Sequence, residues 1–82
     1  MKATINDVCI RGCEPKLNKN NEPYLLVRFE DETGKPCELV DKDMERQRYY
    51  RRGAEGTLTI DITTGRYTTI RVIDFKLKEA RA

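Results

Sequence analysis

Alternation of apolar and polar residues predicts β-strands over most of this chain. The clearest strands run from Tyr24 to Glu30 and from Thr57 to Thr63, where every second residue is apolar, as expected when one face of a strand is buried. A first strand from Lys2 to Arg11 changes phase between Ile5 and Val8, which predicts a bend or a bulge. The chain therefore begins with a bent strand and contains two regular ones.

Two further strands follow from weaker patterns. A short strand begins beyond Pro36, and the last segment, Tyr67 to Lys78, switches its apolar face after Val72. Such a switch is typical of a strand that bends from one sheet into another. Residues 14–23 are rich in turn-forming residues, so we expect the first strand to end at Gly12 and a mobile hairpin loop to follow.

The segment from Asp41 to Arg52 predicts a short helix, because it lacks alternation and holds helix-compatible residues. Asp41 or Asp43 can cap it, and Gly53 can terminate it. The order β-β-β-helix-β-β is that of an all-β, five-stranded OB-fold barrel, a fold that commonly binds oligonucleotides on its second and third strands. We expect residues 1–82 to form this single domain, with residues 79–82 frayed.

The second predicted strand carries an unusual outer face. Tyr24, Leu26 and Arg28 lie opposite the core-facing residues, where a strand that only faces water would usually be polar. An aromatic ring, an apolar side chain and a cation in a row suit a nucleic-acid platform. An edge contact or a homodimer contact would also account for exposed apolar groups.

A cationic, aromatic segment points to the same ligand. Residues 46–52 contain four arginines and two tyrosines, a composition that suits single-stranded nucleic acid, since cations track phosphates and rings stack on bases. Residues 1–45 hold 7 basic and 10 acidic groups, a net of −3, whereas residues 46–82 hold 9 basic and 4 acidic groups, a net of +5. One of Tyr49 and Tyr50 is expected to be structural, and the arginines alone could be solvated surface groups.

Composition argues against several other classes of protein. The chain has no histidine, the commonest general base and metal ligand, so we expect neither an enzyme nor a metal or other cofactor. Its three cysteines form no tight pair, the N-terminus lacks a secretory apolar run, and no stretch reaches the ~20 apolar residues of a membrane span. These features predict a cytoplasmic protein with reduced thiols and no membrane contact.

Three segments resemble the helix-destabilising, single-stranded-DNA-binding proteins of filamentous phages. Residues 22–26, Glu-Pro-Tyr-Leu-Leu, are similar to that family's Lys-Pro-Tyr-Ser-Leu at the start of strand two. Residues 50–53, Tyr-Arg-Arg-Gly, are similar to its Tyr-x-Pro-Gly, and residues 67–77 are similar to its closing strand. The resemblance implies an OB-fold that acts as a two-fold homodimer.

The resemblance also implies individual roles. Tyr24 and Leu26 would contact bases, Lys19 and Lys76 would contact phosphates, and Tyr67 would lie in the DNA channel of the partner subunit. Two family arginine positions fall at Glu14 and near Asp74, which leaves Lys16 and Arg71 as nearby substitutes. The fourth hairpin is also several residues shorter than in the family, which bears on the geometry of the dimer.

The residues and the resemblance together predict a sequence-tolerant single-stranded-DNA-binding protein of a phage, plasmid or conjugative element, acting in replication or transfer. Whether RNA also binds stays open. The alternative is a protein-interaction OB module in a replication or conjugation complex, since a fold does not fix its ligand. The residues expected to contact nucleic acid are Lys16, Lys19, Tyr24, Leu26, Arg28, Arg48, Tyr50, Arg51, Tyr67 and Lys76.

Overall fold

The computed structural model describes residues 1–78 as five strands and one short helix. The elements are β1 (Lys2–Leu17), β2 (Pro23–Glu30), β3 (Pro36–Asp41), a 3₁₀ helix (Met44–Tyr49), β4 (Glu55–Thr63) and β5 (Thr69–Leu77). This confirms an all-β protein with a short helix between the third and fourth strands. The expected fraying of residues 79–82 lies outside the described residues.

The five strands form one sheet that closes into a ring, in the order β1-β2-β3-β5-β4. β1 is long enough to pair antiparallel with β2 along one part and with β4 along another. The ring closes where β3 runs parallel to β5, through the pairs Val40 with Arg71 and Asp41 with Val72. We call this two-pair join the seam.

The bend of β1 lies where the phase change predicted it. The register against β4 shifts between Ile5 and Val8, and Asp7 has a left-handed φ of 55°. A second shift follows between Ile10 and Gly12 in the register against β2. Bulges increase the local twist of a strand, and these two let β1 curve around the ring from β4 to β2.

The predicted end of β1 at Gly12 and the mobile loop after it are wrong. β1 continues to Leu17, and Lys16 pairs with Tyr24, so that only residues 18–22 form the turn. Pro15 is tolerated because β4 pairs with β1 only as far as Cys9, which leaves an edge that does not need the missing N–H. The side chain of Asn18 accepts hydrogen bonds from the backbone N–H groups of Asn20 and Glu22, at 2.9 and 3.0 Å, and so orders the turn.

The core inside the ring matches the alternation of the central strands. Leu25, Val27 and Phe29 on β2 are at most 1% exposed, and Leu58 is fully buried. They pack in one cluster completed by Val8, Ile10, Tyr50, Ile60, Val72 and Phe75. β2 therefore turns its odd-numbered residues inward and its even-numbered residues outward.

The predicted change of face in β5 is confirmed, although fewer of its residues are buried than expected. Val72 and Phe75 both point into the core, because the register against β4 shifts by one residue between them. Ile70 and Leu77 are each 41% exposed. These two lie near the ends of the strand, away from the residues packed inside the ring.

A buried carboxylate joins β3 to the helix. Asp41 is fully buried at the end of β3, and it accepts hydrogen bonds from Arg46 Nη1 at 2.7 Å, from the Tyr50 hydroxyl at 2.5 Å and from the Asp43 backbone N–H at 2.9 Å. Asp43 in turn caps the helix by accepting from the Glu45 N–H. We call Asp41, Arg46 and Tyr50 the buried triad.

The triad also reaches β5. Arg46 Nη2 donates to the carbonyl of Ile73, the residue at the β5 register shift, and the Tyr50 ring stacks on Phe75 with centroids 5.1 Å apart. Burial, together with the neighbouring Asp41 carboxylate, raises the pKa of Tyr50 well above its ordinary value. The helix is thus fixed across both strands of the seam.

We expect Tyr50→Phe to lower the free energy of unfolding by about 1–3 kcal/mol, because it removes one hydrogen bond from a buried charged group. Urea denaturation followed by circular dichroism measures the loss. Tyr49→Phe is the matched control, since Tyr49 is 41% exposed and should keep the wild-type midpoint. Equal midpoints for Tyr50→Phe and the wild type would contradict a stabilising triad.

The raised pKa of Tyr50 also predicts a loss of stability at alkaline pH. Below pH ~10 the tyrosine is protonated in both states; above it, the unfolded chain releases this proton while the folded chain retains it. The stabilisation from Tyr50 is therefore complete below pH ~10 and declines as the pH rises further. The difference in free energy of unfolding between the wild type and Tyr50→Phe should narrow above pH 10, and a constant difference up to pH 11 would contradict this prediction.

Candidate functional site

The outer faces of β1, β2 and β3 bring the predicted platform residues together. Tyr24 and Leu26 are half-buried on β2. Across the strand pairs, Lys16 of β1 lies opposite Tyr24, and Val40 of β3 lies opposite Leu26. Directly opposed residues on one face of a sheet contact one another, so these four side chains form a continuous patch, which we call the platform. Glu14 of β1 borders the platform directly opposite Leu26.

Arg28 lies on the same face, but its charge is compensated. Its guanidinium donates to Glu14 Oε1 and lies 3.5 Å from Glu38 Oε1. The hydrogen bond to Glu14, followed by the charge of that carboxylate, raises the pKa of Arg28. Lys16 is itself 3.9 Å from the other oxygen of Glu14. Arg28 and Lys16 thus share the two carboxylates of Glu14 and Glu38, so the expected phosphate contact of Arg28 meets a surface whose charges are already paired.

Two depressions adjoin the other end of the platform. The first is lined by Asn18, Glu22, Pro23, Tyr24, Val40 and Lys42, and the second by Val40, Lys42, Thr63, Thr69, Ile70 and Arg71. Both are lined by Val40 and Lys42, so they adjoin over the end of β3, and we call the two depressions together the groove. Lys42 is exposed, and it is in no ion pair among the described residues.

Arg71 is the second cation of the groove. Its side chain is 47% exposed, and its Nη2 lies 3.8 Å from Asp61 Oδ2. Asp61 also lies 3.5 Å from the terminal amino group of Met1. An exposed pair at such a distance contributes little, which leaves Arg71 able to turn toward a phosphate.

Tyr50 does not have the position expected of a base-stacking residue. It is 4% exposed, with its ring against Phe75 and its hydroxyl on Asp41, so neither face of the ring can receive a base. The local composition favoured this tyrosine, whereas the structure assigns it to the core. Tyr49 is the exposed member of the pair, and the Arg48 guanidinium lies 5.3 Å from its ring centroid.

The arginines of residues 46–52 divide into two groups. Arg46 is bound within the buried triad, whereas Arg48, Arg51 and Arg52 are exposed on the helix and the turn after it. Neither Arg48 nor Arg51 forms an ion pair with another residue between 1 and 78. They supply positive potential around the helix but do not line the groove.

The three remaining predicted residues lie in different places. Lys19 is exposed in the β1–β2 turn, next to the first depression. Tyr67 is 79% exposed between β4 and β5. Lys76 is exposed in a separate depression with Asp7 and Thr57. Lys19 therefore adjoins the groove, whereas Lys76 lies apart from it.

The groove is also lined by three residues that the sequence did not single out as site residues, namely Val40, Lys42 and Ile70. Val40 lies across from Leu26, two residues after the outward-facing Glu38, so the alternation of β3 could have placed it on the outer face. The sequence placed Ile70 on the same side of the last strand as Val72, yet Ile70 is 41% exposed. No periodicity applies to Lys42, because the strand ends at Asp41.

No metal site or membrane-spanning helix is found in residues 1–78. This part of the chain holds no cluster of three or more cysteine or acidic side chains that could bind a metal, and no helix long and apolar enough to cross a membrane. Cys9, Cys13 and Cys37 are half-buried thiols. Burial, with smaller effects of Asp41 and Glu14, raises the pKa of Cys13, which makes it less reactive.

No protein-family model matches the chain, and no curated protein or solved structure is found to be similar to it.

Proposed function

We propose that this protein is an OB-fold domain that binds single-stranded DNA without sequence specificity. The observation that carries the proposal is the platform. Three of its residues, Tyr24, Leu26 and Val40, present aromatic and aliphatic surface on the outer side of β2 and β3. The fourth, Lys16, supplies a cation, and Lys42 lies at the edge of the platform. Bases stack on such surfaces whatever their identity, while cations contact the phosphates between them.

The strand order supports the OB-fold. A five-stranded sheet that closes on itself, with a helix between its third and fourth strands, has the arrangement of that fold, which commonly binds oligonucleotides on strands two and three. Binding in this proposal is not accompanied by catalysis. The protein would favour the single strand over the duplex because stacking needs bases that are unpaired, and it would thereby displace duplex during replication or transfer of a phage, plasmid or conjugative element.

A two-fold homodimer and a cytoplasmic location remain part of the proposal. The homodimer follows from the resemblance, in which the aromatic residue at the position of Tyr67 contributes to the DNA channel of the partner subunit, and Tyr67 is 79% exposed here. Sedimentation velocity at increasing protein concentration would measure the association. A single monomeric species throughout would remove the dimer from the proposal.

A protein-docking module is the second candidate. The Glu14–Arg28–Glu38 cluster favours it, because charge-compensated polar groups beside an apolar patch are typical of the rim of a protein interface. The two candidates differ in their expected response to salt, since only the release of counterions from nucleic acid gives a steep dependence.

Fluorescence anisotropy of labelled oligo-dT and of the matching duplex should show salt-sensitive binding that favours the single strand. If about four phosphates are neutralised, log affinity should fall against log salt with a slope near −3, at about −0.7 for each phosphate. The absence of binding even at low salt would overturn the proposal and favour the docking module.

Replacement of Tyr24 by alanine should weaken oligo-dT binding by roughly 1–3 kcal/mol, the usual contribution of one stacked base. Tyr24→Phe is the matched control, because it keeps the ring and removes only the hydroxyl, and it should bind like the wild type. Circular dichroism verifies that both variants fold. Wild-type affinity in a folded Tyr24→Ala would show that the platform is not the binding surface.

A further inference from the structure

Arginines without a carboxylate partner are concentrated in one short segment. Residues 1–78 contain eight arginines, of which four are paired with carboxylates: Arg11, Arg28, Arg46 and Arg71. Three of the other four lie together on the helix and in the turn after it, namely Arg48, Arg51 and Arg52. All three are exposed, and none forms an ion pair with another residue between 1 and 78.

A tight turn fixes the backbone of two of these arginines. The Ala54 N–H donates to the carbonyl of Arg51 at 2.9 Å, and Gly53 has a φ of 90°, a conformation that favours glycine. The turn is also bonded to β1, because the Gly53 N–H donates to the Ile10 carbonyl at 2.7 Å and the Ile10 N–H donates to the Ala54 carbonyl at 2.8 Å. Arg51 and Arg52 therefore extend into solvent from a backbone that β1 holds in place.

β5 brings a further cation to this turn. The Lys78 N–H donates to the Glu55 carbonyl at 2.8 Å, and the Tyr50 ring stacks on Phe75, so the chain between Tyr50 and Glu55 lies beside the end of β5. Lys78 is exposed and, within the described part of the chain, is in no ion pair. We call the four cations the basic end: Arg48, Arg51, Arg52 and Lys78.

The basic end is separate from the platform. Ile10, which holds the turn, and Lys16 of the platform are six residues apart on β1, roughly 20 Å along an extended strand. On β2, the outward-facing residues after Leu26 are Arg28 and Glu30, and both are in ion pairs. No residue of the basic end lines the groove. A ligand at the basic end would therefore contact a different surface from a base on the platform.

The chemistry of the basic end suits a phosphate backbone. Arginine donates paired hydrogen bonds to phosphate oxygens, and the four cations exceed the flanking carboxylates, Glu45 and Glu55, by two charges. Tyr49 is the exposed aromatic residue of this segment, and one face of its ring is already occupied by Arg48. The surface thus presents charge and little area for stacking, in contrast to the platform.

We infer that the basic end is a second nucleic-acid surface, which binds the phosphate backbone of duplex DNA. A surface that contacts only phosphates gains most from the densest row of them, and a duplex carries one charge per ~1.7 Å of its length, twice the density of one of its strands. The inference goes beyond the proposed function, because the bases need not be unpaired at this surface. One domain would then hold duplex at the basic end and single strand on the platform.

The double variant Arg51→Gln/Arg52→Gln tests this inference by fluorescence anisotropy of a labelled duplex. If each arginine neutralises one phosphate, the slope of log affinity against log salt should become shallower by about 1.8, at about 0.9 for each phosphate, and affinity at low salt should fall about tenfold or more. Lys35→Gln/Arg66→Gln is the matched control. It removes two exposed cations that lie outside the platform, the groove and the basic end, and it should keep the slope of the wild type.

Tyr24→Ala separates the two surfaces, because it should retain wild-type affinity for duplex while it loses affinity for oligo-dT. Circular dichroism verifies that each variant folds. The inference is overturned if the wild type does not bind duplex, if the control variant loses as much affinity as Arg51→Gln/Arg52→Gln, or if Tyr24→Ala also loses duplex binding. Competition by polyglutamate at equal charge concentration would overturn it too, since the surface would then suit an acidic protein. In each case, salt-sensitive oligo-dT binding that depends on Tyr24 would leave the proposed function standing.

Discussion

A single buried carboxylate determines how this small domain is assembled. Asp41 lies at the end of β3 with none of its surface exposed, and a buried charge is tolerated only when it is paired and hydrogen-bonded. Arg46 and Tyr50 supply those partners, and both come from the segment that follows β3. Satisfying Asp41 therefore folds the chain back over the end of the ring.

The same requirement positions the candidate site. Because Asp41 points inward, Val40 before it lies on the outer face, and Lys42 after it lines the groove. The hydrogen bond from Arg46 to Ile73 connects the helix to the β5 register shift. The residues expected to bind ligand are thus supported from beneath by groups that never contact it, which is what holds a binding surface in one geometry.

Much of the fold could be predicted from the sequence, because hydrophobic alternation is a local signal. The period of two places Leu25 and Val27 inside and Tyr24 outside, and the change of phase after Ile5 marks a real bulge. The continuation of β1 from Gly12 to Leu17 could not be predicted from this alternation. Up to Leu17 it pairs with β2 beyond the core, where both faces meet solvent and no apolar periodicity is required.

The candidate site was less predictable, because it depends on which charges meet across strands. Arg28 and Glu14 are far apart in sequence but adjacent in space, so their mutual compensation cannot be read from local composition. Arg46 and Tyr50 belong to the same short segment as the exposed Arg48 and Arg51. Unlike those two residues, they donate hydrogen bonds to the buried Asp41. An aromatic residue next to arginines indicates a binding surface only when no buried partner requires its hydroxyl.

The seam has a further consequence for the motion of the molecule. Only two residue pairs join β3 to β5, whereas β5 and β4 share eight. Few backbone hydrogen bonds protect this join, so its closure depends on the side-chain contacts of the buried triad, and local opening should begin there once those contacts break. The floor of the groove lies across this join. A ligand that bound across this join would contact β2 and β5 together. It would therefore raise the free energy needed to open the ring at the seam.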